Sequence, residues 1–168
     1  TTKTAYFTKD SALENGYVEA IQTLNGWSNE GCTEPTLTLL EQAMERADII
    51  ITSGGLGPTR GDITKEMVME VCHTESYLDL DTWGRIDEYF RRKGICQPSE
   101  NNEKQAYVPI GAEVLQNDVG TAPGLWLEYN GKFFILLPGP PAELMDVCEK
   151  QLWPRLLQRF TDHGVIMS

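Results

Sequence analysis

Apolar residues recur along this chain at two spacings, and the two alternate. Leu37, Leu40, Met44 and Ala47 lie three or four apart, which is one face of a helix. Ahead of them, Thr33 can cap, Glu34 suits the positive end of the helix dipole, and Pro35 suits a first turn. The run Asp48-Ile49-Ile50-Ile51-Thr52 is continuous and β-branched, and it predicts a strand covered on both faces, as in a parallel sheet. Residues 62–72 predict a second helix, with Ile63, Met67, Val68 and Val71 as its apolar side. Residues 80–93 predict a third, with Trp83, Ile86, Tyr89 and Phe90 on one side and Arg91, Arg92 and Lys93 at its negative end before Gly94. Residues 98–102 read as loop and 103–107 as a short helical turn. Asn130-Gly131 between the apolar runs 125–129 and 132–137 predicts a tight hairpin. The prolines of 138–141 then start a helix lined by Leu144, Val147, Cys148 and Leu152, which Pro154 kinks or restarts. At the N-terminus the pattern is weaker: residues 2–15 read as an amphipathic helix (Tyr6, Phe7, Leu13) and residues 17–24 as a strand.

Strands alternating with helices predict one α/β domain over residues 1–168, a three-layer sandwich around a mostly parallel sheet with one antiparallel hairpin. In such sheets ligands sit where Gly-rich loops meet helix N-termini. Composition narrows the partners. The chain of 168 residues carries 14 Lys plus Arg against 25 Asp plus Glu, a net charge of −11, which argues against nucleic acid. No apolar run is long enough to span a bilayer. Cys32, Cys72, Cys96 and Cys148 lack metal-ligand spacing and predict reduced, mostly buried thiols in a cytoplasmic protein. His73 and His163 also lack partners at such spacing and read as surface or helix-end residues.

Four loops carry candidate chemistry. In the first, Ser53, Gly54, Gly55, Leu56, Gly57, Pro58 and Thr59 follow a strand, and the glycines let backbone N–H groups approach a ligand. Asp62 and Thr64 follow at the start of the next helix, as a carboxylate for a metal or a hydroxyl ligand and as a further hydroxyl. The spacing is neither that of a Walker loop nor that of a dinucleotide-binding Gly-X-Gly-X-X-Gly. In the second loop, Pro138, Gly139 and Pro140 precede Glu143 in a first helical turn. The third includes Gly120 and Thr121 before the hairpin, and the fourth Asn102, Lys104 and Gln105, whose donors could reach a phosphate. Each loop has an ordinary alternative: a capped tight turn, a carboxylate complementing a helix dipole, a connection, a solvated turn.

Together, and in this order, the loops resemble one family. Gly-Gly-Leu-Gly-Pro-Thr at 54–59 with Asp62-Ile63-Thr64 is similar to the signature of the molybdopterin-binding-like domain. Asn-Asn-Glu-Lys-Gln-Ala at 101–106, Gly-Thr-Ala-Pro-Gly at 120–124 and Leu-Pro-Gly-Pro-Pro-Ala-Glu at 137–143 resemble its CinA branch, the competence/damage-inducible proteins. The resemblance implies a three-layer α/β fold, often oligomeric, and a metal-dependent pyrophosphatase acting on ADP-ribose or a similar dinucleotide. On that reading the N–H groups of 54–57 and Lys104 hold the diphosphate. Asp62 and Glu143 bind a divalent metal (Mg, Mn or Co), or one of them aims a water, and a monovalent cation is a further expectation. The partner is then a phosphorylated small molecule, a dinucleotide or a pterin, and the assembly a homo-oligomer. The rival reading is a nucleotide- or molybdopterin-binding module without catalysis, and a third is a scaffold that has lost its site.

Three departures set this chain apart from the family pattern. Gly61 stands where the family has the first of two adjacent acids, and Gly26-Trp27-Ser28 stands where relatives have a Gly-Asp-Asn turn. Relatives also begin with a strand and a Gly-Asp/Glu loop that this sequence lacks; either a preceding piece lies outside it or the protein is a degenerate homologue, and the first is expected, since a lost parallel strand leaves unpaired backbone in the sheet. Residues 164–167 resemble the start of a further segment.

Overall fold

The computed structural model describes residues 2–7, 19–24, 33–95 and 98–160. In chain order these form β1 (Thr2–Phe7), β2 (Glu19–Leu24), α1 (Thr33–Arg46), β3 (Ile49–Ser53), α2 (Thr64–Val71), β4 (Ser76–Leu78), α3 (Leu80–Arg92) and α4 (Glu100–Glu103). A 3-10 turn (Lys104–Ala106) leads to β5 (Tyr107–Pro109), β6 (Ala112–Leu115), β7 (Gly124–Tyr129) and β8 (Lys132–Leu137). The chain then runs through α5 (Pro141–Val147), a π-helical turn (Cys148–Leu152) and α6 (Trp153–Phe160). Pro154 has no N–H for a continuous α-helix, and the wide turn before it restarts the helix in a new register.

The main sheet runs β2-β1-β3-β8-β7-β6, and β4-β5 form a small second sheet. Among the described residues only β3 and β8 pair in parallel; β1–β2, β1–β3, β8–β7 and β7–β6 are all antiparallel. The expected mostly parallel sheet is therefore wrong: the sheet is mixed and mostly antiparallel. The cause is connection length. Asn130 and Gly131, at φ 51° and 74°, close the expected β7–β8 hairpin, but residues 116–123 also return β6 beside β7 over fewer than the dozen or so residues a parallel crossover needs, and β1 adds two further antiparallel pairs. Residues 2–7, predicted as helix, are strand β1 beside β3, with Ala5 opposite Ile51. Thr2, Thr4, Tyr6 and Phe7 are strand formers, and their sheet pairing overrides a weak helical period. Residues 8–15 of that predicted helix lie outside the described residues.

Helices on both faces of the sheet give the predicted three layers. Ile50, Phe134 and Leu136 pack with Leu40, Ala43 and Val68 of α1 and α2 on one face. Ile49, Ile51, Phe133 and Ile135 pack on the other face with Val147, Leu152 and Leu156. The triple isoleucine is thus covered on both sides, as read from its unbroken apolar run. Fully buried side chains such as Phe134 and Ile135 each contribute roughly 2–3 kcal/mol. Cys72 and Cys148 are buried free thiols, and burial pushes Cys72 up to about 12. Cys32 and Cys96 lie outside the described residues. His73 sits just past α2 at φ 47°, a helix-end residue as predicted. Among the described residues no helix is long and apolar enough to cross a membrane.

Candidate functional site

The parallel pair β3–β8 puts two strand ends side by side, and both lead into predicted loops. Gly54 N–H donates to Leu137 O at 2.9 Å, and Ser53 Oγ–H donates to Pro138 O at 3.1 Å. The two loops then touch backbone to backbone: a Cβ on Gly139 would lie 3.3 Å from Gly54 Cα. Gly54 and Gly55 take φ 93° and 73°, values that only glycine adopts without strain. Behind them the start of α2 is pinned to the loop. Thr64 Oγ1–H donates to Gly54 O at 2.9 Å, and Thr64 N–H donates to Gly55 O at 3.2 Å. Thr64 is 3% exposed, so its hydroxyl holds the loop's shape from beneath. Leu56 turns into the core. Among the described residues the N–H groups of Gly55, Leu56 and Gly57 have no hydrogen-bond acceptor. Successive N–H groups left free beside left-handed backbone form a concavity suited to an anion.

Asp62 closes the far side of this loop. Its Oδ2 accepts from Thr59 N–H at 2.9 Å and from the Thr59 hydroxyl at 2.5 Å. Gly57 makes room for it, because a Cβ there would meet Asp62 Oδ2 at 2.6 Å. Lys104 reaches over from the 3-10 turn and donates to Thr59 O at 3.2 Å and to Asp62 O, and it pairs with Glu66 at 3.1 Å. These contacts use all three ammonium donors, so Lys104 braces the loop. Lys65 performs a similar task further in. It is 6% exposed and donates to Lys104 O and Tyr107 O, each at 2.6 Å. Burial lowers its pKa to about 8. Asn102 and Gln105, predicted to contact ligand, are buried against each other, with Asn102 Nδ2–H donating to Gln105 Oε1 at 3.2 Å.

Glu143 stands in a network of its own. Asn117 Nδ2–H donates to Glu143 Oε2 at 2.6 Å and to Ala122 O at 2.8 Å, while Asn117 Oδ1 accepts the N–H groups of Val119 and Gly120. Gly120 lies directly on the carboxylate: a Cβ there would fall 2.1 Å from Glu143 Oε2. The structure therefore gathers residues 53–59, Asp62, Thr64 and Lys104 with Pro138, Gly139 and Pro140. It places Glu143 with Gly120 and Thr121 at the start of the helix that follows. Among the described residues no three His, Cys, Asp or Glu side chains are grouped to hold a metal ion.

Sequence reasoning missed the organising role of Asn117, although an Asn two and three residues before the bonded N–H groups is a readable turn signal. It also missed a pocket of about 200 Å³ between α3 and the 116–123 loop, lined by Arg85, Ile86, Tyr89, Asn117, Gly120 and Thr121 among others. The periodic face of α3 reads as core-facing, and only Ile86 of that face is fully buried.

Gly-rich loops at the ends of two parallel strands, with helices on both faces of the sheet, define a class: an α/β domain whose strand ends and loops form the place where such folds seat ligands. The family described as "Probable molybdopterin binding domain" matches residues 33–158. The chain belongs to that family, and its domain is of the kind found in CinA proteins. A CinA-like protein of Dictyoglomus turgidum is 46% identical over 129 residues, 77% of this chain and 31% of that protein. A CinA-like protein of Akkermansia muciniphila is 45% identical over 128 residues, 75% of this chain and 30% of that protein. The crystal structure of CinA from Thermoplasma acidophilum, described as of unknown function, is similar with a TM-score of 0.62. It is 28% identical, with 80% of this chain and 73% of that one covered. The chain spans about a third of the length of the curated relatives it matches.

Proposed function

We propose that this domain binds a phosphorylated small molecule, a nucleotide or a pterin, as a binding module without hydrolysis. The free N–H groups of residues 55–57 between the exits of β3 and β8 carry this reading. They offer uncompensated partial positive charge in a chain of net charge −11, which would otherwise repel a phosphate. Binding is favoured over hydrolysis by how the expected catalytic groups are engaged. Asp62 Oδ2 is held by Thr59, Glu143 Oε2 by Asn117, and Lys104 by three acceptors. Gly61 and Trp27 replace two expected acids.

A divalent metal, if it takes part, would draw on Asp62 Oδ1 or on the carboxylate of Glu143, which stand in separate networks. These are hard oxygen donors suited to Mg or Mn, and such ions commonly use one or two carboxylates plus ligand phosphates. The metal would neutralise phosphate charge; the protein's own share is the N–H cradle and the fixed loops.

Titration calorimetry of the chain with ADP-ribose, FAD and NAD, with and without Mg, Mn and Co, tests the proposal. Heat of binding without release of AMP is the expected result, and metal-dependent AMP release would install the hydrolase reading in its place. Asp62→Ala leaves the Thr59 N–H and hydroxyl without their acceptor. It is expected to cost about 1 kcal/mol of stability and to weaken ligand binding about tenfold as the loop loosens. Unchanged affinity in that variant removes Asp62 from the site.

A further inference from the structure

The pocket beside α3 has chemistry that the Gly loop does not use. Thr82, Arg85, Ile86 and Tyr89 form its helical wall at the three- and four-residue spacing of one face. Ile86 gives an apolar floor, and Tyr89 an aromatic wall, set edge-to-face with Phe90 at 5.8 Å and with Lys93 Nζ over its ring at 5.7 Å. Four charged residues line it, and three of them are matched. Glu88 is paired with Arg92, and Asp118 is paired with Lys150 at 3.0 Å. Arg85 has no acidic partner among the described residues, so the pocket keeps one unmatched guanidinium within a strongly acidic chain.

Size limits the occupant. Sites for a whole drug-sized ligand run roughly 300–1,000 Å³, so about 200 Å³ takes a single ring system, and the rest of the ligand must lie outside. The far wall includes Gly120, which rests on Glu143. Glu143 stands two residues into the helix that begins where the Pro138–Gly139–Pro140 loop ends, and that loop touches Gly54. Contacts from Gly120 to Glu143 and from Gly139 to Gly54 thus link the pocket wall to the loop cluster already described.

We propose that this pocket seats the planar ring of the phosphorylated ligand, with Tyr89 as its stacking face and Arg85 donating to the ring's carbonyl and nitrogen acceptors. The proposal rests on the phosphate-binding reading of residues 55–57 and assigns the other end of the same molecule. Neither α3 residue belongs to the loops that carry the family signature.

The test uses the whole chain, ¹⁵N-labelled, titrated separately with inorganic phosphate, adenosine and AMP. Phosphate is expected to shift the amides of residues 54–57 alone, and adenosine those of residues 82–92 and 116–123 alone. AMP is expected to shift both sets and to bind about tenfold more tightly than phosphate, the gain typical of one stacked base. Arg85→Gln and Tyr89→Leu should each remove most of that tenfold gain while leaving phosphate affinity and thermal unfolding unchanged. AMP binding no more tightly than phosphate, shifts confined to residues 54–57, or full AMP affinity in both variants would overturn the assignment. Shifts at α3 with none at residues 54–57 uphold the ring pocket and remove the phosphate reading, so the two failures are distinguishable.

Discussion

Gly55→Ala is expected to lose about 3 kcal/mol of folding stability in urea denaturation, and with it the binding of phosphate. Two effects add at this position. The backbone sits at φ 73°, where a side chain costs roughly 1–2 kcal/mol. The new Cβ would also fall 2.1 Å from Thr64 Oγ1, in a place where Thr64 is buried and bonded to Gly54 O. Thr64 must turn away and leave that carbonyl without its hydrogen bond, a further loss of roughly 1–2 kcal/mol. Gly131→Ala separates the terms. Its φ is 74°, and nothing lies within 4 Å of the added carbon, so only the strain of about 1 kcal/mol should appear. Equal losses in the two variants would show that the Thr64 contact carries no energy.

Lys65→Met is expected to destabilise the fold by about 2 kcal/mol above pH 10.5, where Lys65 is neutral, by leaving Lys104 O and Tyr107 O without their shared donor. Removing a buried charge works in the other direction. That relief offsets the loss near neutral pH, where Lys65, with a pKa of about 8, still carries its buried charge. The pH dependence carries the sign. With a folded pKa of about 8 against an ordinary 10.5, the unfolded chain holds more protons between these values. Lys65 therefore adds stability as pH rises from 8 to 10.5, by roughly 3 kcal/mol if the whole window is crossed. Cys72, pushed up to about 12 from 9.0, acts in the opposite direction above pH 9, but it is common to both proteins. The stability difference between wild type and Lys65→Met, measured by urea unfolding at several pH values, should grow through this window. A flat difference would place the Lys65 ammonium outside the burial described.

The strongest local signals in the sequence survive in the structure, and the losses have identifiable causes. The hairpin at Asn130-Gly131 was legible because two residues at positive φ leave few alternatives. The triple isoleucine and the helices α1 to α3 were legible because burial imposes their spacing. Strands β4, β5 and β6 have three or four residues each, too few to show an alternation. The direction of the sheet is not legible because strand direction is a property of connections, and alternating helices and strands imply crossovers at every link except the 130–131 hairpin. β1 was misread because Tyr6 and Phe7 satisfy a helical period as well as a strand. At the site, the Gly loop and the Pro138 loop were legible as neighbours of strand ends. What their side chains do was not, since Thr64 and Lys104 carry ligand-like groups that the fold uses to brace the loop. The α3 pocket depends on which loop lies opposite the helix, and spacing along one chain does not contain that information.

The central claim is that the free N–H groups of residues 55–57 are an anion site. Titrating the ¹⁵N-labelled chain with inorganic pyrophosphate tests it most directly. The account predicts saturable shifts of the Gly55, Leu56 and Gly57 amides that weaken with added salt and vanish in Gly55→Ala. Pyrophosphate that leaves these three amides unmoved, or moves them no more than an equal ionic strength of sodium chloride does, would contradict it.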